Sequence, residues 1–85
     1  MKLTFTATAT QDLVRLREFI RIKNPQAAQK FSTLLKQNIL ALVDQPNMGM
    51  PIEGLEDFRE LVARDYVVRY RLVSNQIVIL KIREQ

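Results

Sequence analysis

The chain has 85 residues, 47% of them hydrophobic, and its 13 basic and 9 acidic side chains give a net charge of +4. This length supports one compact core and falls below the usual size of two, so we expect one domain over residues 1–85. Cysteine and histidine are absent, which excludes a disulfide framework, a thiolate metal site and a catalytic imidazole, and we expect neither a metal nor a cofactor.

The distribution of apolar and charged residues bears on location and partners. The longest apolar runs, such as residues 77–80, are too short to cross a bilayer, and no basic segment followed by a hydrophobic run opens the chain, so we expect a cytoplasmic protein. Residues 1–43 carry seven basic and two acidic side chains, whereas residues 44–57 carry four acids and no base. A small basic domain predicts nucleic acid, a ribonucleoprotein or an acidic protein as its partner. A merely solubilising charge is the alternative.

The first part of the chain predicts a strand and an amphipathic helix. Residues 1–7 alternate apolar and polar side chains, which is typical of a half-buried strand. Thr8 and Gln11 have the spacing of a capping box, and a helical stripe follows that ends near Lys23. The stripe consists of Ala9, Leu13, Leu16 and Ile20.

A second helix is predicted from Pro25 to about Val43. Asn24 can cap its amides, and proline at the first helical position sacrifices no hydrogen bond. The expected buried stripe consists of Ala28, Phe31, Leu35, Ile39 and Leu42. Two helices joined by so short a link must form an antiparallel hairpin.

The last part of the chain predicts β-structure. Two prolines and two glycines mark residues 46–54 as an irregular connection. Three strands are then expected at 58–63, Tyr66–Val73 and 76–83, separated by short polar breaks. The predicted order is β-α-α-β-β-β, an α+β fold with the helical hairpin on one face of an antiparallel sheet. Two helices follow the first strand, so we expect it to be antiparallel to the second, and its placement beside the last strand predicts a wholly antiparallel sheet.

The last two strands carry alternating apolar and basic positions. We expect the even positions of both strands, among them Val78, Leu80 and Ile82, to face the helices. A symmetric two-residue turn at 74–75 would place Lys81 on that buried face. Because a buried cation costs several kcal/mol, the connection is expected to contain an extra residue or a bulge.

With that register, four cations gather on the sheet face turned away from the helices: Arg69, Arg71, Lys81 and Arg83. This is a candidate binding surface. The alternative is the polar solvent side of an open antiparallel sheet. Like charges on adjacent strands repel, so an anionic or acidic partner would explain the cluster better.

Several strings in order resemble the ParE branch of the RelE/ParE toxin superfamily. They are Asn24-Pro25-Gln26-Ala27-Ala28, the loop PNMGMP at 46–51, Arg59-Glu60-Leu61-Val62, Tyr66-Val67-Val68-Arg69-Tyr70-Arg71 and Ile77-Val78-Ile79-Leu80. The resemblance implies a toxin of a type II toxin-antitoxin system. It also implies a hetero-oligomer with a cognate antitoxin, a ParD-like ribbon-helix-helix protein whose carboxyl-terminal segment wraps around the toxin. The typical target is DNA gyrase in the ParE branch and messenger RNA on the ribosome in the RelE branch.

The residues argue against ribonuclease chemistry. RelE-like enzymes tend to carry an arginine where this chain has Val67, and phosphodiester cleavage needs a base and an acid. Tyr66 and Tyr70 are nominal candidates, but their even positions indicate core packing. Glu60 is a possible base, although an ion pair with a neighbouring arginine is favoured. We therefore assign no catalytic residue.

The residues that we expect to contact antitoxin or target extend beyond the four strand cations. Arg15 and Arg21 on the first helix are weaker additions for charge complementarity. Phe19, next to the buried stripe, is either an exposed anchor or peripheral core. Arg59 and Glu60 are assigned to the same set, with the facing of Arg59 left open.

Three functional hypotheses remain. The first is a toxin that inhibits gyrase by binding, and the second is a ribosome-dependent endoribonuclease. The third is a degenerate family member that binds only antitoxin. It is motivated by the sequence ending at Gln85 without the aromatic and histidine-bearing segment that ParE-like chains often have.

Overall fold

The computed structural model describes residues 1–85 as two helices packed on a five-stranded sheet, so the predicted α+β fold is confirmed. The elements are β1 (Lys2–Phe5), α1 (Ala7–Lys23), α2 (Pro25–Asp44), β2 (Met50–Ile52), β3 (Leu55–Ala63), β4 (Tyr66–Val73) and β5 (Gln76–Glu84). Neither helix has the length and apolarity that a membrane span requires.

Side-chain caps define where the two helices begin. The predicted capping role of Thr8 was wrong: Thr6 caps α1, and its Oγ1 accepts a hydrogen bond from the Ala9 amide at 3.1 Å. Thr6 also ends β1, because its amide and hydroxyl donate to carbonyls of β5. The predicted cap of α2 is confirmed, since Oδ1 of Asn24 accepts bonds from the Gln26 and Ala27 amides at 3.1 and 3.2 Å.

The five strands lie in the order β1-β5-β4-β3-β2, and the sheet is mixed. The first strand does lie beside the last, but it runs parallel to it, so the prediction of a wholly antiparallel sheet was wrong. The reason is β2, which falls in the connection predicted to be irregular and is antiparallel to β3. It is β2 that runs opposite to β1 after the two helices. The chain reverses once more before β3, which restores the direction of β1.

The β4–β5 hairpin combines a tight turn with a bulge. Ser74 and Asn75 have φ values of 46° and 62°, and Val73 pairs directly with Gln76, which matches a two-residue type I′ turn. The register shifts between Tyr70, paired with Ile79, and Arg69, paired with Lys81, so β5 has one extra residue there, Leu80. The predicted bulge therefore exists within the strands, and not in the connection.

The bulge changes which side of β5 is buried. Ile77, Ile79 and Ile82 are fully buried, whereas Val78 and Leu80 are half-buried, so the expectation that the even positions of β5 face the helices holds only beyond the bulge. The core joins these isoleucines to Val68 and Tyr70 of β4 and to the predicted stripe of α2, all of whose members are buried. In the α1 stripe, Ala9 and Leu16 are buried and Leu13 and Ile20 half-buried.

Candidate partner-binding surfaces

The sheet face turned away from the helices is here called the outer face. Directly paired residues share a face, and side chains alternate along a strand. Because Tyr70 and Ile79 are paired and buried in the core, Arg69 and Arg71 point to the opposite side. Over β3, β4 and β5 the outer face consists of Phe58, Glu60, Val62, Val67, Arg69, Arg71, Val73, Gln76, Val78, Leu80, Lys81 and Arg83. The edge strands add Lys2 and Thr4 from β1 and Met50 from β2.

The structure brings the four predicted cations together on the outer face. Arg69 lies directly opposite Lys81, Arg83 lies opposite Val67, and Arg71 is paired with Val78. At about 3.4 Å per residue, the cluster extends roughly 13 Å along β4 and β5. Val67, at the end of the cluster opposite Arg83, is only 4% exposed.

One carboxylate offsets part of this charge. Oε2 of Glu60 lies 2.9 Å from Nη2 of Arg69 and 3.5 Å from Nη2 of Arg83. The interpretation of Glu60 as an ion-pair partner is therefore confirmed. The Arg71 guanidinium lies 5.1 Å from the centroid of the Phe58 ring. Arg71 and Lys81 are both exposed, and neither forms an ion pair.

The two tyrosines lie on the helix side of the sheet, as predicted. Tyr70 is fully buried, and Tyr66 packs edge-on against Phe31 with 4.7 Å between ring centroids. Burial raises the pKa of Tyr66, and the negative charges of Glu84 and Asp65 raise it further. Neither hydroxyl shares a face with the four cations, so tyrosine provides no acid or base there.

Arg59 lies on the opposite face from the four cations, because its cross-strand partner is the buried Tyr70. Its Nη1 donates hydrogen bonds to the carbonyls of Asn47 and Gly49 at 3.2 and 2.7 Å. The guanidinium thus holds the loop that precedes β2. The facing of Arg59, which the sequence left open, is therefore the side opposite the four cations, and its role in binding stays a prediction.

Tyr70 holds the same loop from beneath. Its hydroxyl donates to the Pro46 carbonyl at 2.7 Å and accepts from the Gly49 amide at 2.9 Å. Burial raises the pKa of the Tyr70 hydroxyl, although the Gly49 amide and the charge of Arg59 partly lower it. A Cβ at Gly49 would lie 2.7 Å from that hydroxyl and 2.9 Å from the Glu60 carbonyl, so only glycine allows so close an approach.

We expect Tyr70→Phe to lower the free energy of unfolding by about 1–3 kcal/mol, because it leaves a buried amide and a carbonyl without partners. Urea unfolding at neutral pH measures the loss. Tyr66→Phe is the matched control, since the Tyr66 hydroxyl makes no hydrogen bond to the protein, and it should change stability by less than about 0.5 kcal/mol. Equal losses in the two variants would contradict the role of Tyr70 in holding the loop.

The three candidate residues of α1 do not join the outer face. Arg15 forms an ion pair with Asp12 at 2.9 Å, and Arg21 pairs with Glu18 on the exposed side of the helix. Phe19 is 55% exposed, with Nζ of Lys23 4.6 Å from its ring centroid. Phe19 is thus an exposed side chain, and its role as an anchor stays a prediction.

An apolar groove between β1 and the two helices is the surface that sequence reasoning missed. Its volume is about 320 Å³. The lining side chains are Leu3, Phe5, Leu13, Arg17, Ser32, Leu35, Lys36, Ile39 and Leu40. Arg17 and Lys36 are exposed and form no ion pair. A weak signal in the sequence was Leu40, an apolar residue beside the predicted stripe that is 49% exposed.

The groove adjoins an open edge of the sheet. β1 pairs only with β5; the Lys2 amide donates to the carbonyl of Asn75, in the turn before β5, and the Thr6 amide donates to the carbonyl of Ile79 in β5. Because the direction of the backbone groups alternates along a strand, those of Leu3 and Phe5 point to the open side. An extended segment can therefore bond to this edge while its side chains enter the groove.

Comparison with known proteins assigns the family. A family model described as "ParE toxin of type II toxin-antitoxin system, parDE" matches residues 3–85. The chain belongs to this family of ParE toxins. None of the curated protein sequences matches it.

Solved structures share the fold of this ParE-family toxin. A chain of the chromosomal ParDE toxin-antitoxin system from P. aeruginosa is 24% identical, with a TM-score of 0.84 and coverage of 99% of this chain and 95% of that chain. A chain of the RelBE2 toxin-antitoxin complex from Mycobacterium tuberculosis is 22% identical, with a TM-score of 0.68 and coverage of 99% and 96%. A chain of the E. coli DinJ-YafQ complex is 18% identical, with a TM-score of 0.54 and coverage of 98% and 91%.

Proposed function

We propose that this ParE-family toxin inhibits DNA gyrase by binding and catalyses no reaction itself. The observation that carries the proposal is the chemistry of the outer face, which has four clustered cations on β4 and β5 but no free acid or base. Its one carboxylate, Glu60, is engaged by Arg69 and Arg83, and both tyrosines lie on the other face. Such a surface can hold a negatively charged partner, whereas cleavage of a phosphodiester also requires proton transfer.

A gyrase supercoiling assay with the purified chain tests the proposal, and a translating extract tests the ribonuclease alternative in parallel. We expect supercoiling to be blocked and messenger RNA to remain intact. Cleaved messenger RNA with normal supercoiling would replace the proposal with a ribosome-dependent endoribonuclease. If neither effect is observed, the chain is a degenerate family member that only binds antitoxin.

We infer that a cognate antitoxin, a ParD-like ribbon-helix-helix protein encoded beside the toxin gene, neutralises this chain in a hetero-oligomer. Family membership and the presence of toxin-antitoxin complexes among the similar structures support the inference. Co-expression of the two genes and purification through a tag on the antitoxin should recover this chain. Its absence from the purified material would refute the pairing.

The groove beside β1 is the proposed docking site of the antitoxin. It combines apolar walls, the unpaired cations Arg17 and Lys36 at its rim, and the open backbone edge of Leu3 and Phe5. A segment with apolar anchors flanked by acidic side chains matches all three features. The outer face offers charge but no comparable apolar cavity, so it is better suited to a second partner.

A further inference from the structure

The outer face carries more positive charge than the fold requires. Its strands β4 and β5 carry four clustered cationic side chains against the one carboxylate of Glu60 in β3, and Arg71 and Lys81 form no ion pair. Like charges on neighbouring strands repel, and neither Arg71 nor Lys81 has a carboxylate in contact with it. A dense anion that lies along the sheet would remove this repulsion.

The chemistry of the outer face favours phosphates over bases. Proteins that bind single strands stack the bases on exposed aromatic rings. Phe58 is the one aromatic side chain of this face, and the Arg71 guanidinium already lies over it. Apart from Thr4 and Gln76, whose side chains bond to each other near the β1 edge, the remaining neutral side chains are apolar, which favours contact with a sugar-phosphate backbone over the reading of bases.

The geometry of the cluster favours duplex DNA over an acidic peptide. Three of its cations are arginines, whose planar guanidinium groups match phosphate oxygens in paired hydrogen bonds. They occupy a strip roughly 13 Å long, and a duplex carries one charge per about 1.7 Å of its axis. The apolar groove that suits a peptide lies on the helix side of the sheet.

We propose that the outer face binds the phosphate backbone of duplex DNA through Arg69, Arg71, Lys81 and Arg83. This site rests on the proposed function in one respect: if gyrase is the target, the duplex that the outer face binds in the cell is the DNA held by gyrase. The toxin then contacts the enzyme and its DNA together.

Fluorescence anisotropy with a labelled 30-base-pair duplex and the purified chain, without gyrase, tests the proposal. We expect binding that weakens with salt, with a slope of log K against log salt of about −3 if three phosphates are neutralised. The double variant Arg71→Ala/Lys81→Ala keeps the Arg69–Glu60 pair. It should bind at least about tenfold more weakly, with a slope near −1.

The matched control is Arg17→Ala/Lys36→Ala, which removes the same charge from the rim of the groove. It should bind DNA within about twofold of the unaltered chain, and circular dichroism should show that both variants are folded. An equal loss of DNA affinity in the two variants would mean that the binding depends only on the net charge of the chain, and it would overturn the proposal. Tighter binding of a single-stranded oligonucleotide or of polyglutamate than of the duplex would also overturn it.

The test separates the two proposals because it contains no gyrase. DNA binding in this assay without inhibition of supercoiling would refute the proposed function and leave the outer-face site standing. Inhibition that persists in Arg71→Ala/Lys81→Ala, together with unaltered DNA binding, would refute the outer-face site alone.

Discussion

Charge reversal at the rim of the groove, Arg17→Glu/Lys36→Glu, is expected to weaken antitoxin binding by about 100-fold. Both side chains are exposed and unpaired, so the substitutions leave the core unchanged. An acidic antitoxin segment would then meet two like charges at the entrance of an apolar cavity, and such a juxtaposition costs several kcal/mol. A loss of about 2.8 kcal/mol corresponds to that change in the dissociation constant. Isothermal titration calorimetry with the antitoxin measures it.

The matched control reverses two charges on the outer face, Arg71→Glu/Lys81→Glu, and changes the net charge by the same amount. If the antitoxin docks in the groove, this variant should bind it within about threefold, because exposed charges far from an interface contribute little. A greater loss from the outer-face variant than from the rim variant would place the antitoxin on the outer face. That result would agree with the expectation from the sequence that the antitoxin contacts the four strand cations. It would contradict the proposal that the antitoxin and a second partner bind to different surfaces.

Local patterns in the sequence determine most of the helical half of the fold. The Asn24 cap and the buried stripe of α2 follow from spacing within one helix, and the structure has both. The cap of α1 was misplaced by two residues because Thr6 and Thr8 are equally suitable in sequence. Thr6 was selected by its bonds to Ile79 and Leu80, which are distant in the chain.

The sheet was less predictable because its register depends on pairings between strands. β2 is three residues long and contains Pro51, so it has no recognisable alternation of its own and forms by pairing with β3. The need to keep Lys81 out of the core did predict a bulge, but the energy argument does not specify its position. Ser74 and Asn75, both with positive φ, form a two-residue turn without an extra residue, and the extra residue of the hairpin is Leu80 within β5.

The four cations could be predicted as a cluster because alternation along two adjacent strands, together with the cost of burying Lys81, places them on one face. The groove could not, because its walls come from β1, α1 and α2, and its shape depends on how the three elements pack. The facing of Arg59 could not be predicted for a similar reason. Its partners are backbone carbonyls of the loop at 47–49, and no side-chain pattern reports them.

The burial of Asp12 in α1 was also not predicted, because the apolar stripe of this helix gives no indication of a buried carboxylate. The residue is 6% exposed, and its Oδ2 accepts a hydrogen bond at 3.0 Å from the Ile82 amide, on the stretch of β5 that extends beyond β1. Its Oδ1 accepts from Arg15 at 2.9 Å. The carboxylate therefore satisfies a backbone group of an exposed sheet edge and fixes α1 on the sheet. An edge left open is a site of aggregation.

We expect Asp12→Ala to lower the free energy of unfolding by about 3 kcal/mol, because it leaves the buried Ile82 amide unsatisfied and frees the edge of β5. Asp12→Asn keeps an acceptor for that amide and should lose about half as much. Arg15→Ala removes only the exposed partner and should cost less than about 1 kcal/mol. Urea unfolding of the three variants measures the order, and a loss for Arg15→Ala equal to that for Asp12→Ala would contradict the edge bond as the main contribution.

The stabilisation by Asp12 should also depend on pH in a defined direction. Burial raises the pKa of its carboxyl, but the Ile82 amide, the Arg15 guanidinium and the charge of Lys81 outweigh burial, so the pKa lies below the ordinary value of 3.8. A carboxyl with a lowered pKa in the folded state stabilises fully above its unfolded pKa, and the contribution disappears as the pH falls through the folded pKa. The gap between the original chain and Asp12→Asn should therefore be constant from pH 7 to about pH 5 and narrow below about pH 4. A gap that widened with acid would mean that the carboxyl binds the edge of β5 in its protonated form.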